Sequence, residues 1–310
     1  MEQPLVSILI NNYNYGQFLA EAIESALNQT YANIEVLVVD DGSTDSSAEV
    51  MAGYAGRIIP ILKKNGGQAS ALNLGVARAR GDIICFLDAD DAWMPDKVEQ
   101  VVRAFRQHPR AGLVYHRVQP VDAALKPQGE AWPQSLYTGS IAALVQRTGG
   151  WWHQANTSSL AFRRSTLERI GPVPDSFVYS ADAYLGELAA LLVEVVGLPQ
   201  QLTLYRVHGT NVWYAGGANS QKRIALYRNC IGAINARLAQ LGVPGRLEER
   251  QHFQLQLHRF LNGEAVSIPG LLVQALTFPG EPKLKVRLRS AASILARVLR
   301  LHPRARTQSS

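Results

Sequence analysis

The feature that most constrains the fold of this chain is an apolar stretch, residues 83–87, that runs directly into a cluster of acids. The stretch is typical of a buried strand, and Asp88, Asp90 and Asp91 follow at its end. Carboxylates this close repel each other, and burying them costs free energy unless a cation neutralises them. Oxygen ligands of this kind suit a hard divalent ion, Mg²⁺ or Mn²⁺, that is often shared with substrate phosphates. The pattern therefore predicts a metal–diphosphate site at the end of a strand.

Strand and helix patterns alternate through the first hundred residues. Continuous apolar stretches at residues 5–10, 34–39, 57–62 and 83–87 are separated by segments with helical spacing. Strands that are apolar on both faces are typical of a parallel sheet with helices on each side. Ligands bind beyond the carboxyl ends of such strands. We therefore predict an α/β fold with one cleft that collects the acids at those ends, which are Asp40, Asp41, Asp88 and Asp90.

Beyond Asp91 the alternation becomes less regular. From about residue 216 only helical patterns remain. The predicted organisation is an α/β domain over residues 1–215 and a helical extension over residues 216–310. The predicted elements between them are helices over 97–107, 141–147, 165–170 and 181–193, strands over 112–118, within 151–162 and over 201–207, and a loop over 119–139.

Composition excludes several classes of protein. The chain has 310 residues, of which 47% are hydrophobic and 18% charged, as in an ordinary globular protein. Two cysteines are too few for a disulfide framework. No apolar stretch is long enough to cross a bilayer, and the first residues lack the basic start of a signal peptide. We expect a cytoplasmic protein.

The net charge of +6 is unevenly distributed, because residues 282–310 hold eight basic residues and no acid. The rest of the chain is nearly neutral, which argues against nucleic acid and for an anionic partner of the tail. Two interpretations of the tail stay open. It could lie on the anionic inner face of the cell membrane, or it could pack on the rest of the chain with a solvated basic face. Its apolar positions at helical spacing are Leu284, Leu288, Ala291, Leu295 and Val298.

Three motifs connect the chain to a known family. They read VVDDGSTD at residues 38–45, NGGQASALN at residues 65–73 and FLDADD at residues 86–91. In this order and spacing they resemble the family 2 glycosyltransferases, which have the GT-A fold with a Rossmann-like central sheet. The resemblance covers roughly residues 4–212.

The resemblance implies an inverting enzyme. It would move a sugar from a UDP- or dTDP-linked donor to an acceptor hydroxyl, with Mn²⁺ or Mg²⁺ offsetting charge on the leaving diphosphate. Family association implies a role in making surface polysaccharide or glycolipid, with a saccharide or lipid-linked saccharide as the acceptor.

The resemblance also implies roles for single residues. Asp90 would hold the metal, and Asp88 would contact the ribose or reach the metal through water. Glycines within residues 65–68 allow the backbone to approach the nucleotide, and Asp41 would accept a hydrogen bond from the nucleobase imide. The implied nucleotide contacts are Asn12, Tyr13, Asp41, Asn65, Gly67, Gln68 and Asp88.

A general base is expected at the start of a later helix. The family usually places a Glu-Asp pair there, with a further acid two residues on, and residues 180–185 of this chain read SADAYL. Asp182 matches the Asp of that pair, whereas Ala181 and Tyr184 stand where acids are usual. We predict that Asp182 is the base, and the alternative is that it only caps the helix.

Two further segments are candidates for the site. Residues 205–211, YRVHGTN, resemble the closing Tyr-Arg-x-His segment of the family. This implies that His208 contacts the metal or the diphosphate and that Arg206 supports the site. Trp151 and Trp152 are candidates for a stacking platform under an acceptor sugar, and the alternative is that they are core residues.

Other functions stay open at this point. A nucleotidyltransferase that makes nucleotide-sugars also uses an α/β fold, but it would carry a basic, Gly-rich signature near the N-terminus, and residues 10–16 contain no Lys or Arg. A catalytically silent nucleotide-sugar-binding or scaffold module would account for the missing acids around Asp182. Single acids also have structural alternatives, with Asp45 as a turn or cap residue and Asp91 as a helix cap or a metal ligand.

Overall fold

The fold is a central sheet with helices on both faces, and further helices follow it. The computed structural model describes residues 3–152, 156–209, 211, 219–278 and 283–301. Within these ranges the sheet has nine strands. The strands are β1 (Val6–Asn12), β2 (Ile34–Asp40), β3 (Ile59–Leu62), β4 (Ile83–Asp88), β5 (Ala92–Trp93), β6 (Ala111–Val121), β7 (Thr138–Gly139), β8 (Ala161–Arg163) and β9 (Glu194–Arg206).

The helices of the described ranges lie between these strands and after them. They are α1 (Gly16–Leu27), α2 (Ser47–Ala52), α3 (Gly67–Arg78), α4 (Lys97–Gln107), α5 (Ala142–Arg147), α6 (Arg164–Ile170), α7 (Ala181–Leu192), α8 (Ser220–Gln240), α9 (Phe253–Leu261), α10 (Ile268–Thr277) and α11 (Leu284–Leu301). A 3₁₀ turn at Thr157–Ser159 precedes β8, and a second one at Glu249–Gln251 precedes α9.

The first half of the sheet is parallel and sets where the site lies. Strands β3, β2, β1 and β4 are neighbours in that order and run in the same direction. Asn12 of β1 pairs with Asp40 of β2, and Asn11 pairs with Asp88 of β4. The prediction of a parallel sheet is therefore confirmed for these four strands, and their carboxyl ends form a common edge.

The second half of the sheet contains both parallel and antiparallel pairs of strands, and in this it differs from the predicted parallel sheet. β8 is antiparallel to both β4 and β6, whereas β6 and β9 are parallel to each other. The hydroxyl oxygen of Ser158 accepts a hydrogen bond from the backbone N–H of Asp88 at 3.0 Å, so the 3₁₀ turn before β8 lies at the carboxyl end of β4. A strand that starts at this end must run opposite to β4.

Apolar side chains fill both faces of the sheet. Along β1, Leu9 lies in the core cluster that includes Leu72 of α3, whereas Ile8 and Ile10 lie in the cluster that includes Val98 of α4. Both faces of β1 are thus buried, as the continuous apolar stretch predicts. The helices cover the faces, and the site is left to the carboxyl edge.

The C-terminal helices contribute to two different cores. α8 buries Ile231 in the cluster that also holds Leu185 of α7. Helices α9, α10 and α11 share a separate cluster that includes Phe260 and Ile294. The predicted domain boundary at residue 215 falls within residues 212–218, which lie outside the described residues, so the division stays a prediction. Among the helices described, none is long and apolar enough to span a membrane.

Two strands extend beyond their predicted bounds. β6 continues to Val121, into the segment predicted as a loop over 119–139, and β9 begins at Glu194 rather than at residue 201. Gly197 and Pro199 interrupt the alternation that indicates a strand, and the β6–β9 pairing has irregular register close to this segment. The end of β9 reaches the cleft, where Tyr205 is part of the lining.

Candidate active site

A cleft of about 380 Å³ lies beyond the carboxyl ends of β1, β2 and β4. It collects residues from segments that are far apart in the chain, as predicted for a cleft at the carboxyl ends of parallel strands. Nine of the predicted site residues line it, namely Asn12, Tyr13, Asp41, Asn65, Gly67, Gln68, Asp88, Asp90 and Asp182.

Asp41 organises the loop before α3 at one end of the cleft. Its carboxylate accepts hydrogen bonds from the backbone N–H of Gly66 at 3.0 Å and of Gly67 at 2.7 Å. The ammonium group of Lys63 pairs with the same carboxylate. Asp41 is only 3% exposed, and these donors compensate the burial of its charge. The predicted contact with a nucleobase imide would use the remaining acceptor capacity of these oxygens and stays a prediction.

Gly67 occupies a position that requires glycine. Its φ is +84°, and an added Cβ would lie 2.8 Å from Cα of Val178. The neighbouring N–H of Gln68 donates to the carbonyl oxygen of Val178 at 2.8 Å. The glycine therefore allows the loop before α3 to touch the segment before α7, which is the same segment that carries Asp182.

Two asparagines place unpaired acceptors in the cleft. Nδ2 of Asn12 donates to Asp40 at 2.7 Å, and Nδ2 of Asn11 donates to Asp88 at 2.9 Å. The Oδ1 atoms of both asparagines are buried and accept no hydrogen bond from the described residues. A buried acceptor without a partner costs free energy. Asn12 was predicted at the site, and Asn11 was missed although it is its neighbour.

The carboxylates of Asp88, Asp90 and Asp182 line the same cleft, and burial raises the pKa of Asp88 and of Asp182. Burial, reinforced by the charge of Asp90, raises the pKa of Asp88 to about 7. Burial also raises the pKa of Asp182 to about 6, although backbone hydrogen bonds, including one from Thr157, act in the opposite direction. A carboxyl group with a pKa in this range can take up and release a proton near neutral pH.

Asp90 lines the cleft, and His208 lies beside it. Nε2 of His208 lies 3.0 Å from Oδ2 of Asp90. The imidazole ring is held between the rings of Tyr15 and Phe18, with centroids at 5.5 and 5.1 Å. Within the residues that the structure covers, no group of three His, Cys, Asp or Glu could hold a metal ion. Asp90 and His208 thus offer two donor groups at this position, a carboxylate and an imidazole.

Asp91 hydrogen-bonds to segments that are distant in the chain. Its oxygens accept hydrogen bonds from Nδ2 of Asn156 at 2.7 Å, from Oγ of Ser158 at 2.6 Å and from the backbone N–H of Arg206 at 3.0 Å. It is 1% exposed. The expectation of a helix cap at this position is wrong, because α4 begins at Lys97, after the cap position at Asp96. Asp91 holds three loops together beneath the cleft.

Asp45 contacts the turn before α2, as the structural interpretation expects. One oxygen accepts from the backbone N–H of Ser47 at 3.0 Å, and the other accepts from the N–H of Gly16 at 2.8 Å. The Asp45 side chain thus joins the start of α2 to the start of α1. It is not among the residues that line the cleft.

The two tryptophans are not part of the cleft lining. Trp152 is 4% exposed, and its ring packs edge-on against Tyr115 with centroids 5.0 Å apart. Trp151 packs against Phe278 with ring centroids at 4.4 Å. These contacts favour the core interpretation over a stacking platform for the acceptor.

Residues 156–158 belong to the site, but the motifs do not predict them. Asn156 and Thr157 line the cleft, and Ser158 supports Asp88 and Asp91. The only signal in the sequence is a polar run, NTSS at residues 156–159, directly before an apolar strand. Polar runs of this kind are common in loops, so the pattern alone does not indicate a site.

Comparison with known proteins assigns the chain to a family. The profile described as Glycosyl transferase family 2 matches residues 7–171. An uncharacterized glycosyltransferase of Nostoc sp. is 32% identical over 265 residues, which is 82% of each chain. The chondroitin synthase of Pasteurella multocida is 40% identical over 149 residues, which is 45% of this chain and 15% of the synthase.

Solved structures share the fold. TarS of S. aureus, residues 1–349 in complex with UDP-GlcNAc, has a TM-score of 0.62 at 16% identity, over 96% of this chain and 82% of that one. The mannosyltransferase PcManGT of Pyrobaculum calidifontis, in complex with GDP-Man and Mn²⁺, has a TM-score of 0.55 at 19% identity, over 98% and 89% of the two chains.

The fold and its structural neighbours define a glycosyltransferase fold of the GT-A class, which confirms the predicted fold class. More narrowly, the family profile spans more than half of the chain. The chain therefore belongs to glycosyl transferase family 2, and the predicted family is confirmed.

Proposed function

We propose that this protein is a metal-dependent, inverting glycosyltransferase whose general base is Asp182. The observation that carries the proposal is the meeting of Asp182 with Asp88 and Asp90 in one cleft at the carboxyl edge of the sheet. Asp182, whose pKa is raised by burial, then shares the cleft with Asp88 and Asp90, which would hold the diphosphate end of a donor. Family membership supports sugar transfer as the reaction.

The proposed reaction is a single displacement. Asp182 takes the proton of the acceptor hydroxyl, and the hydroxyl oxygen attacks the anomeric carbon of the donor sugar from the face opposite the diphosphate. The new carbon–oxygen bond forms while the bond to the diphosphate oxygen breaks and its electron pair leaves with the nucleoside diphosphate. Attack from the opposite face inverts the configuration at the anomeric carbon.

Asp90 and His208 are the proposed ligands of Mn²⁺ or Mg²⁺, and Asp88 is their neighbour. Burial, and then repulsion by Asp90, raises the pKa of Asp88, and a cation beside these two acids would be stabilised. When bound, the ion would offset negative charge on the leaving diphosphate. PcManGT in complex with GDP-Man and Mn²⁺ is consistent with this proposal.

We further propose a UDP- or dTDP-linked sugar as the donor and a saccharide or lipid-linked saccharide as the acceptor. The complex of TarS with UDP-GlcNAc supports a uridine nucleotide. The synthases of chondroitin and hyaluronan in Pasteurella multocida support a role in building surface polysaccharide or glycolipid. The nucleotide would lie along Asn12, Tyr13, Asp41, Asn65, Gly67, Gln68 and Asp88.

Attachment to the anionic inner face of the cell membrane, through α11, is part of the proposal. α11 buries Ala291 and Ile294 against α9 and α10. Leu284, Leu288 and Leu295, spaced four and seven residues apart, stay 63%, 53% and 46% exposed. This second apolar stripe is adjacent to basic side chains, and the described helix carries no acid. An exposed apolar stripe among cations fits the surface of an anionic bilayer.

The experiment that tests the function is nucleoside-diphosphate release from a panel of UDP-, dTDP- and GDP-sugars with Mn²⁺ or Mg²⁺. Membrane extract serves as the source of acceptor. We expect metal-dependent release from one donor, loss of release in Asp90→Ala and strong reduction in Asp182→Asn. Binding of a nucleotide-sugar without release would instead favour the silent binding module, and formation of a nucleotide-sugar from nucleoside triphosphate would favour the nucleotidyltransferase.

A further inference from the structure

Gln68 contacts both sides of the cleft through one side chain. Its Nε2 donates to Oδ1 of Asp88 at 3.3 Å and to Oγ1 of Thr157 at 3.3 Å. Its Oε1 accepts from the backbone N–H of Ala181 at 3.0 Å. Ala181 is the first residue of α7, directly before Asp182. The amide of Gln68 therefore joins a donor-side carboxylate to the helix that carries the proposed base.

Thr157 makes a second connection between the same two acids. Its hydroxyl hydrogen-bonds to the Asp88 carboxylate, and its backbone N–H donates to the Asp182 carboxylate. Thr157 is 3% exposed and begins the 3₁₀ turn that supports the end of β4. Gln68 and Thr157 thus form a bridge, the Gln68–Thr157 bridge, between Asp88 and the start of α7.

The bridge contributes to the start of α7, where the residue at the cap position supplies no side-chain acceptor. Ser180 has a left-handed backbone with φ of +60°, and its side chain makes no capping hydrogen bond. The first N–H groups of a helix need acceptors from elsewhere. Oxygen Oε1 of Gln68 provides one for Ala181, and the carboxylate of Asp182 accepts from the N–H of Ala183, so a side chain from another helix helps to hold the start of α7.

We propose that Gln68 and Thr157 are positioning residues that hold the base Asp182 at a fixed place relative to Asp88. The inference rests on the proposed function for the identity of the base. Displacement of a reacting group by about 1 Å can reduce a rate by about a hundredfold. Two residues that connect Asp88 to Asp182 and to the start of α7 would prevent such a displacement. Gln68 was predicted as a nucleotide contact, and its side-chain amide is directed to protein groups.

The test compares Thr157→Val with Thr157→Ser. Valine has nearly the same shape but loses the hydroxyl, whereas serine keeps it, and both keep the backbone N–H that reaches Asp182. We expect kcat for UDP release to fall about tenfold to a hundredfold in Thr157→Val and to stay within about threefold in Thr157→Ser. The dissociation constant for UDP with Mn²⁺, measured by calorimetry, should change less than about threefold in both. Equal kcat in the two variants, or a loss of UDP affinity that matches the loss of kcat, would overturn the proposal.

Amide exchange tests the bridge without turnover. Gln68→Met keeps the length of the side chain and removes its hydrogen bonds. We expect the peptide that contains Ala181 to exchange hydrogen at least about tenfold faster in this variant, with the melting temperature little changed. Unchanged exchange would refute the bridge even if the wild-type protein were active. If the wild-type protein releases no nucleotide but the exchange increases as expected, the proposed function fails and the bridge stands.

Discussion

Nε of Arg206 donates a hydrogen bond to the backbone carbonyl oxygen of Asp90 at 2.9 Å. The same guanidinium pairs with Glu21 and lies over the ring of Phe18. Arg206 is the last residue of β9, and His208 follows two residues later. One buried side chain thus ties the loop that carries Asp90 to the segment that carries its neighbour His208.

We predict that Arg206→Met weakens metal binding. The variant loses the bond to Asp90, while Glu21, whose side chain is 53% exposed, is not left as a buried charge. The concentration of Mn²⁺ for half-maximal UDP release should rise about tenfold, because the two proposed ligands are no longer held together. Arg164→Met is the matched control, since Arg164 donates in the same way to Gly81 and Ala79. An equal effect of both substitutions would contradict a specific role for Arg206.

The pH dependence of the reaction should report Asp182. Burial raises its pKa to about 6, and a base must be ionised to accept a proton. We expect kcat/KM to rise about tenfold per pH unit below pH 6 and to level off above it. In Asp182→Asn, kcat/KM should be about 10²–10⁴-fold lower than in the wild-type protein. The activity that remains should no longer rise with pH below pH 6. A limb that persists unchanged in Asp182→Asn would assign it to another group.

Glu187 should lower stability at neutral pH. It is 5% exposed on α7, accepts from Sγ of Cys230 at 3.1 Å, and burial raises its pKa from 4.5 to about 8. The folded protein therefore binds a proton that the unfolded chain releases between pH 4.5 and 8. The stability contributed by this proton is complete below the unfolded pKa and is lost as the pH rises through the folded one.

We expect Glu187→Gln to raise the free energy of unfolding by about 3 kcal/mol at pH 7 and by little at pH 3.5. Urea unfolding of both proteins across this pH range measures the difference. The comparison at low pH is its own control, because the carboxyl group is then protonated in both states. A gain that is the same at every pH would show that packing, and not ionisation, is responsible.

Membrane attachment makes a separable prediction. The protein should bind vesicles containing phosphatidylglycerol and bind vesicles of phosphatidylcholine at least about tenfold more weakly. Leu288→Glu should weaken the binding about tenfold, since a leucine contributes roughly 2 kcal/mol when buried. Ser293→Glu adds the same charge at another exposed position of α11. Equal loss in the two variants would indicate attraction by charge alone, and absence of binding to anionic vesicles would refute the attachment.

The sequence predicts well what depends on local patterns. The strand ends that carry Asp41, Asp88 and Asp90 follow from apolar stretches and motifs, and the structure brings these residues to one cleft. The role of Asp91 could not be predicted, because its partners Asn156 and Arg206 lie 65 and 115 residues away in the chain. No periodicity in a sequence reports a contact between loops so far apart.

Helix α11 also shows how little a sequence pattern reports about contacts between distant segments. Ala291 and Leu288 belong to the same apolar pattern at helical spacing. In the structure Ala291 is buried, whereas Leu288 is exposed. A helical period indicates which residues share a side of a helix. It does not indicate how much of that side a neighbouring helix covers.

Because α11 is packed on α9 and α10 through Ala291 and Ile294, the lipid-facing stripe proposed for it is part of the folded body and not a flexible tether. A tether would let the cleft approach hydroxyls at many heights above the bilayer. A packed helix would instead keep Asp182 at one height and one tilt. The enzyme would then measure length, accepting a hydroxyl only where the lipid-linked chain beneath it has grown to the level of the cleft.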